Sequence, residues 1–260
     1  MEPRNSADGP SRADDSGRLM RARMMTLLTR ALSSPDSSRG DEPPEPLLLR
    51  MCRAFVEATE GTGGTLTLAP NELHRVTLCT TDDTAARLEN LQEVIGEGPV
   101  SDAAGAGHVV AAELGSSPGT SRWPMLSATV ADAIGAVVMY AFPLHPEPGS
   151  IGVASVYRRP DGTAWRPSLE EASLLADMIG AAIVSSGLDA DTGLDWHEPD
   201  RISQATGMVI AQLGIGPDDA VALMRAAAFS DGLDLGQMAI EILEYRRDFR
   251  TDPEHRGDLT

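Results

Sequence analysis

The sequence contains no lysine, and its positively charged side chains are arginines and histidines. This absence excludes sites that need a lysine amine, such as a P-loop, a Schiff base or a receiver-type phosphorylation site. Aromatic residues make up only 4% of the chain, so its core must be built from Ala, Val, Leu, Ile and Met. No apolar run approaches the ~18 residues of a membrane span, and the polar N-terminus is unlike a signal peptide. These absences predict a cytoplasmic protein that does not bind membranes.

Residues that carry out chemistry are also scarce. Cys52 and Cys79 lack a metal-ligand spacing and lie in apolar surroundings, which predicts two buried thiols rather than a metal site. The five histidines are scattered, and the motifs of zinc proteases, dithiol sites and serine hydrolases are absent. We therefore expect no catalytic residue, no metal and no cofactor.

The charge balance is strongly acidic, with 39 acidic and 21 basic residues and a net charge of -18. A field of this sign repels phosphates. Non-specific binding to nucleic acids or anionic membranes is therefore disfavoured.

The N-terminal part, residues 1–46, is predicted to be disordered except for one helix. Residues 1–17 are rich in Ser, Asp, Arg, Gly and Pro and cannot bury enough surface to fold. Within residues 18–32, the helical spacing of Met20, Met24, Leu27, Leu28 and Ala31 predicts an amphipathic helix. Such a helix could bind a membrane surface or a partner, but we favour docking on the following domain or on a second subunit. Residues 33–46 have the composition of a linker.

Residues 47–188 alternate between strand-like and helix-like segments. Their short hairpin connections favour an antiparallel sheet, so we predict an α+β domain. The Gly-rich segment 96–107 is predicted to be a loop. Strands are predicted over 63–69, 73–81, 136–144 and 150–159, and helices over 83–95, 121–135 and 168–188.

The C-terminal part is predicted to be entirely helical. Residues 189–196 form a second linker, and residues 197–250 contain three helices, of which the first covers about 199–213 and the last 234–249. Pro217 suits the first turn of the middle helix. Residues 251–260 are predicted to be a disordered tail.

Four segments of the α+β domain resemble the GAF domains of actinobacterial regulators: "LENLQEVIGEGPVSDA" (88–103), "RWP" (122–124), "AFPL" (141–144) and "SIGVASVY" (150–157). This resemblance implies an antiparallel sheet with flanking helices that binds a small molecule or mediates dimerisation, although it does not identify the ligand. Val100 stands where many of those domains have a cysteine, so thiol chemistry is unavailable there. We expect a homodimer formed through helices 18–32 and 168–188, the second of which would carry the signal.

The segment "RISQATGMVIAQLGIGPDDAVALMRAAA" (201–228) resembles the ANTAR domain, the three-helix RNA-binding module of transcription antiterminators. The resemblance implies that residues 197–250 bind structured RNA hairpins and prevent transcription termination. The RNA-binding residues that it implies are Arg201, Gln204, Ala205, Thr206, Gly207 and Arg225.

The same segment departs from the ANTAR pattern in its charges. Thr206 stands where the family usually has a lysine, and Asp231 and Asp234 stand where it has basic residues. Residues 197–250 hold nine acidic residues and five arginines, a net charge of -4, and RNA affinity depends on neutralised phosphates. Tyr245 or Phe229 could add base stacking. Two functions remain open: an RNA-binding antitermination regulator, and a ligand-sensing or protein-interaction regulator whose ANTAR fold has lost RNA binding.

Overall fold

The computed structural model describes residues 12–33, 45–69, 75–116, 122–145, 150–160, 168–185 and 198–250. They form two regions, called here the sheet region (the described residues up to 185) and the helical region (198–250). The predicted disordered tail, the second linker and most of the first linker lie outside the described residues.

The sheet region is built on five strands: β1 (Gly63–Leu68), β2 (Val76–Thr80), β3 (Val110–Leu114), β4 (Val137–Leu144) and β5 (Gly152–Arg158). Their order is β2-β1-β5-β4-β3, and every neighbouring pair is antiparallel. Strands β2 and β3 are therefore the edges, and the pairing of β1 with β2 shifts register between Leu66 and Thr67. The predicted α+β class is confirmed.

Helices cover both faces of this sheet, because side chains alternate along each strand and both sets are apolar. On one face, Phe142 and Val156 share a core cluster with residues of three helices; on the other, Met139 and Val153 share a cluster with residues of three more. The first set is α1 (Arg12–Leu32), α2 (Leu47–Ala58) and α6 (Leu169–Ser185), and the second is α3 (Asp83–Ile95), α4 (Pro99–Ala106) and α5 (Pro124–Ala133).

Helix α1 docks on its own chain. Its buried side chains Met24, Leu27 and Leu28 belong to the same core cluster as residues of α2 and α6, as the amphipathic spacing predicted. The helix begins at Arg12 rather than at residue 18.

The prediction of a loop over residues 96–107 was wrong, because α4 occupies most of this segment. Gly98 precedes the helix and Pro99 starts it, and Gly107 ends it in the left-handed conformation at φ 66°. Val100 and Ala103 are completely buried. The glycines thus mark the ends of a short buried helix rather than a continuous loop.

The helical region consists of α7 (Glu198–Leu213), α8 (Pro217–Asp231) and α9 (Leu235–Leu243) around one apolar core. Asp234 and Gln237 form a capping box that starts α9. The last helix is shorter than the predicted 234–249, because the chain turns after Leu243 and Tyr245 adopts a left-handed conformation at φ 59°.

Candidate nucleic-acid interface

The exposed face of α7 carries two of the predicted RNA-binding residues. Gln204 and Gly207 are exposed together with Ser203, and Arg201 is partly buried at the margin of this face. A Cβ atom added to Gly207 would meet no atom within 4 Å. An exposed glycine within a helix costs about 1 kcal/mol relative to alanine, and here it leaves the backbone open to close approach from outside.

Two other predicted residues lie on the opposite, buried face of α7. Ala205 is completely buried in the core of the helical region, and Thr206 is only 9% exposed. The Thr206 hydroxyl donates a hydrogen bond to the carbonyl oxygen of Ile202 (2.8 Å) and lies 3.6 Å from Sδ of Met224 in α8. Both side chains therefore support the packing of α7 against α8.

Arg225, the sixth predicted residue, points from α8 toward α3 of the sheet region. Its Nη1 atom lies 3.2 Å from the position that a Cβ on Gly96 would occupy. Burial lowers the pKa of the Arg225 guanidinium, the neighbouring charge of Arg75 lowers it further, and Glu93 acts in the opposite direction. Its Nε atom is buried without a hydrogen-bond partner among the described residues.

The arginines after α9 are engaged with carboxylates. Arg246 pairs with Glu241 at 2.8 Å and also with Glu244. The other two pairs are Arg247–Asp231 at 3.0 Å and Arg250–Asp248 at 2.7 Å. Exposed pairs of this kind contribute little to stability and are screened by salt, so replacing a carboxylate by a phosphate would cost little.

Two aromatic side chains of the helical region are exposed. The Tyr245 side chain, in the turn after α9, is 79% exposed, and that of Phe229 in α8 is 40% exposed. By contrast, Phe249 is buried with the Arg247 guanidinium 5.6 Å from its ring centroid. Tyr245 and Phe229 are therefore available for base stacking.

The sheet region contains a set of polar side chains that the sequence analysis missed, called here the buried polar cluster (Thr65, Arg75, Glu89, Ser101 and Ser155). The Thr65 and Ser155 hydroxyls are 2.8 Å apart, and the Thr65 hydroxyl lies 3.5 Å from Oε2 of Glu89. Nη1 of Arg75 donates to the Ser101 hydroxyl at 2.9 Å.

Charge is only partly compensated within the buried polar cluster. Burial raises the pKa of the Glu89 carboxyl, and the positive charge of Arg75 opposes that shift. Nη2 of Arg75 is buried and has no hydrogen-bond partner among the described residues. The sequence contained a signal for this cluster: Thr65 and Thr67 occupy alternate positions of a strand and therefore place two polar side chains on one face.

Neither a metal centre nor a membrane span is found in the parts of the chain that the structure describes. Their His, Cys, Asp and Glu side chains do not form a group of three or more able to hold an ion. None of their helices is both long enough and apolar enough to cross a bilayer. Cys52 and Cys79 are free thiols, of which Cys52 is buried and Cys79 is half-buried.

Comparison with known families identifies the helical region. Residues 197–243 match the model of the ANTAR domain, an RNA-binding module of antitermination regulators. The match begins one residue before α7 and ends at the last residue of α9, so it covers all three helices. None of the curated proteins compared with the chain matches it.

Proposed function

We propose that this protein is a transcription antitermination regulator in which the helical region binds structured RNA hairpins under the control of the sheet region. The observation that carries the proposal is the ANTAR match over all three helices, together with the open face of α7 around Gly207. The ANTAR domain is regulatory rather than catalytic. Because transcription takes place in the cytoplasm of bacteria, we place the protein there.

RNA contact is proposed to centre on the exposed face of α7. Gln204 can donate and accept hydrogen bonds at a base edge, and Gly207 allows a backbone or base to approach the helix closely. Arg201 would supply positive charge beside them. Ala205 and Thr206 contribute by holding α7 against α8, since both are buried.

The sheet region is proposed to be a GAF-like sensor occupying residues 47–188, separated by a linker at 189–196 from an ANTAR domain at 197–250. The buried polar cluster supports this role, because the Nη2 atom of Arg75, which has no hydrogen-bond partner among the described residues, and the buried Glu89 carboxyl are groups that a small polar ligand could pair.

A homodimer through α1 and α6 is also proposed. Large apolar side chains remain exposed on both helices of the single chain. They are Leu19 and Met25 on α1 and Leu169, Leu174 and Val184 on α6.

The proposal is tested by titrating the full chain with a pool of RNA hairpins that carry randomised loops. We expect binding that weakens as salt rises from about 50 mM to about 200 mM, because each phosphate contact releases counterions. Gln204→Ala should weaken binding, whereas Ser230→Ala, at an exposed polar side chain near the end of α8, should not. Equal effects of the two changes would remove α7 from the interface.

A second function, a ligand-sensing or protein-interaction regulator without RNA binding, is favoured by one specific observation. Three of the five arginines in the helical region are already paired with carboxylates, and Arg225 faces the sheet region. Absence of binding to any hairpin at about 50 mM salt, where phosphate contacts are strongest, would select this function instead.

A further inference from the structure

The contact between α3 and α8 joins the two regions through apolar packing. Val94 of α3 is only 4% exposed and belongs to the core cluster of the helical region, together with Met224 and Ala228 of α8. The helical region therefore completes its core with a side chain that the sheet region supplies.

The same contact sequesters a cation. Helix α3 ends at Gly96, which adopts the left-handed conformation at φ 78° and has no side chain. The Arg225 guanidinium packs at this glycine, with Glu93 and Arg75 near enough to act on its charge. Arg225 is half-buried, so while it packs at α3 its guanidinium is less accessible to a phosphate of a bound RNA than a fully exposed arginine would be.

The packing between the regions is nevertheless incomplete. A cleft of about 250 Å³ lies beside this contact. It is bounded by α3, the end of α5 and the end of α8, and its lining includes Val94, Phe229 and Asn90. Oδ1 of Asn90 and Nε of Arg225 are buried without hydrogen-bond partners among the described residues. Unpaired polar atoms and unfilled space weaken an interface, so separation of α8 from α3 requires less free energy than it would for a fully packed and hydrogen-bonded contact.

Helix α3 also belongs to the proposed sensor. Glu89, in the middle of the helix, is part of the buried polar cluster, and Val94, near its end, lies in the core of the helical region. A movement of α3 that accommodates a ligand at Glu89 would therefore be transmitted to α8 through one rigid element.

We infer that the structure shows the regulator in a closed state, in which α8 is packed against α3 and the affinity for RNA is low. In this view α8 must separate from α3 before RNA binds tightly. This inference rests on the proposed RNA-binding function and adds how it is controlled. When only a fraction of the molecules is open, the apparent dissociation constant for RNA is raised by the inverse of that fraction. Substitutions that open the α3–α8 contact should therefore tighten RNA binding by releasing Arg225, even where the substituted side chain does not itself contact RNA.

The test compares full-length variants by hydrogen exchange of the α3 and α8 amides and by titration with the randomised-loop hairpin pool. Val94→Asp places a charge where the docked state is apolar, and we expect faster exchange in both helices and RNA binding at least about tenfold tighter. Val94→Ala should act in the same direction with a smaller effect. Val130→Ala, the same change at a buried valine of α5 away from α8, should leave RNA affinity unchanged.

Glu93→Arg provides an independent way of opening the contact, because it replaces the negative charge beside Arg225 with a positive one. Since the added cation could itself attract RNA, Glu170→Arg on the exposed start of α6 serves as the charge control. In the Val94→Asp background, Arg225→Ala should weaken RNA binding, whereas in the docked parent chain it should not, because there the guanidinium is sequestered.

The outcomes separate the two proposals. If Val94→Asp and Glu93→Arg speed exchange in α3 and α8 but leave RNA affinity as it is in the parent chain, the closed-state inference is overturned and the RNA-binding function stands. Unchanged exchange in both variants would overturn it as well, because the contact would not be the element that opens. If exchange is faster and still no variant binds RNA, the proposed function itself fails.

Discussion

The two regions of the molecule are built around cores of different sizes. The sheet region buries two clusters of apolar side chains, which include Phe55, Phe142 and Ile179. The helical region buries one smaller cluster, in which Met224 and Ile242 lie among several alanines. Because the free energy of burial follows apolar area, and a unit of about 50 residues buries a smaller fraction of its surface than a larger one, the helical region has the smaller margin of stability.

This difference explains why the contact at Val94 matters. A core with little margin gains from one additional buried valine, so docking on α3 stabilises the helical region as well as orienting it. An RNA that replaces this docking must therefore compensate for the lost packing. If the closed-state proposal holds, stability and regulation are coupled at the Val94 side chain.

The largest effect is expected from Phe142→Ala in the sheet region. The Phe142 ring packs edge-on against Phe55 with centroids 5.5 Å apart, and truncation of a buried phenylalanine costs about 3–5 kcal/mol. Denaturant unfolding followed by circular dichroism and by fluorescence of the buried Trp123 measures the loss. Phe229→Ala is the matched control, because its ring is partly exposed and its loss should cost far less. Equal costs would contradict the difference in burial between the two rings.

An intermediate effect, which depends on pH, is expected from Glu89→Gln. Burial raises the pKa of Glu89 in the folded chain, so the folded state holds its proton at pH values where the unfolded state has lost it. Stability should therefore fall as pH rises from the ordinary carboxyl pKa of about 4.3 through the raised value.

The Glu89→Gln variant should lack this fall and be more stable than the parent chain at neutral pH. Denaturant midpoints recorded between about pH 4 and pH 8 provide the comparison, with the exposed Glu113→Gln as control. A parent chain whose stability does not decrease relative to the variant over this range would show that Arg75 compensates the buried charge completely.

The smallest effect is expected from Gly207→Ala on α7. Because this glycine is helical and its surroundings are open, alanine should stabilise the helical region by about 1 kcal/mol while weakening RNA binding through its added methyl group. Gly214→Ala is the matched control, since its surroundings are equally open but its φ is 69°. That change should be destabilising by about 1 kcal/mol. Stabilisation with unchanged RNA affinity would mean that RNA does not approach the backbone of α7 at Gly207.

Local patterns in the sequence account for much of the fold. Strands β4 and β5 are apolar runs bounded by Gly and Pro, and α3 occupies the residues that were predicted for it. In the structure, Asp82 caps the start of α3 and Gly96 ends it. Helix α4 was missed because its alanines and glycines resemble a loop in composition, while its burial depends on the sheet beneath it.

The candidate site was harder to predict. The inward orientation of Ala205 and Thr206 could have been predicted from the sequence, since both follow Ile202 at helical spacing on one apolar face. The position of Arg225 could not have been predicted in this way, because Glu93 and Gly96 approach it from a part of the chain that is distant in sequence. Contacts of that kind leave no periodic signal.

The two ends of the sheet have a consequence for behaviour at high protein concentration. An unpaired strand at the edge of a sheet is a template on which another chain can add a strand and start aggregation. Strand β3 presents the exposed Glu113 at one end, and β2 is short and pairs with a bulged register at the other. A carboxylate and an irregular ladder both oppose continuous strand addition. Addition of strands from other chains is therefore disfavoured at both edges of the sheet. Copies of the chain would associate through their helices instead.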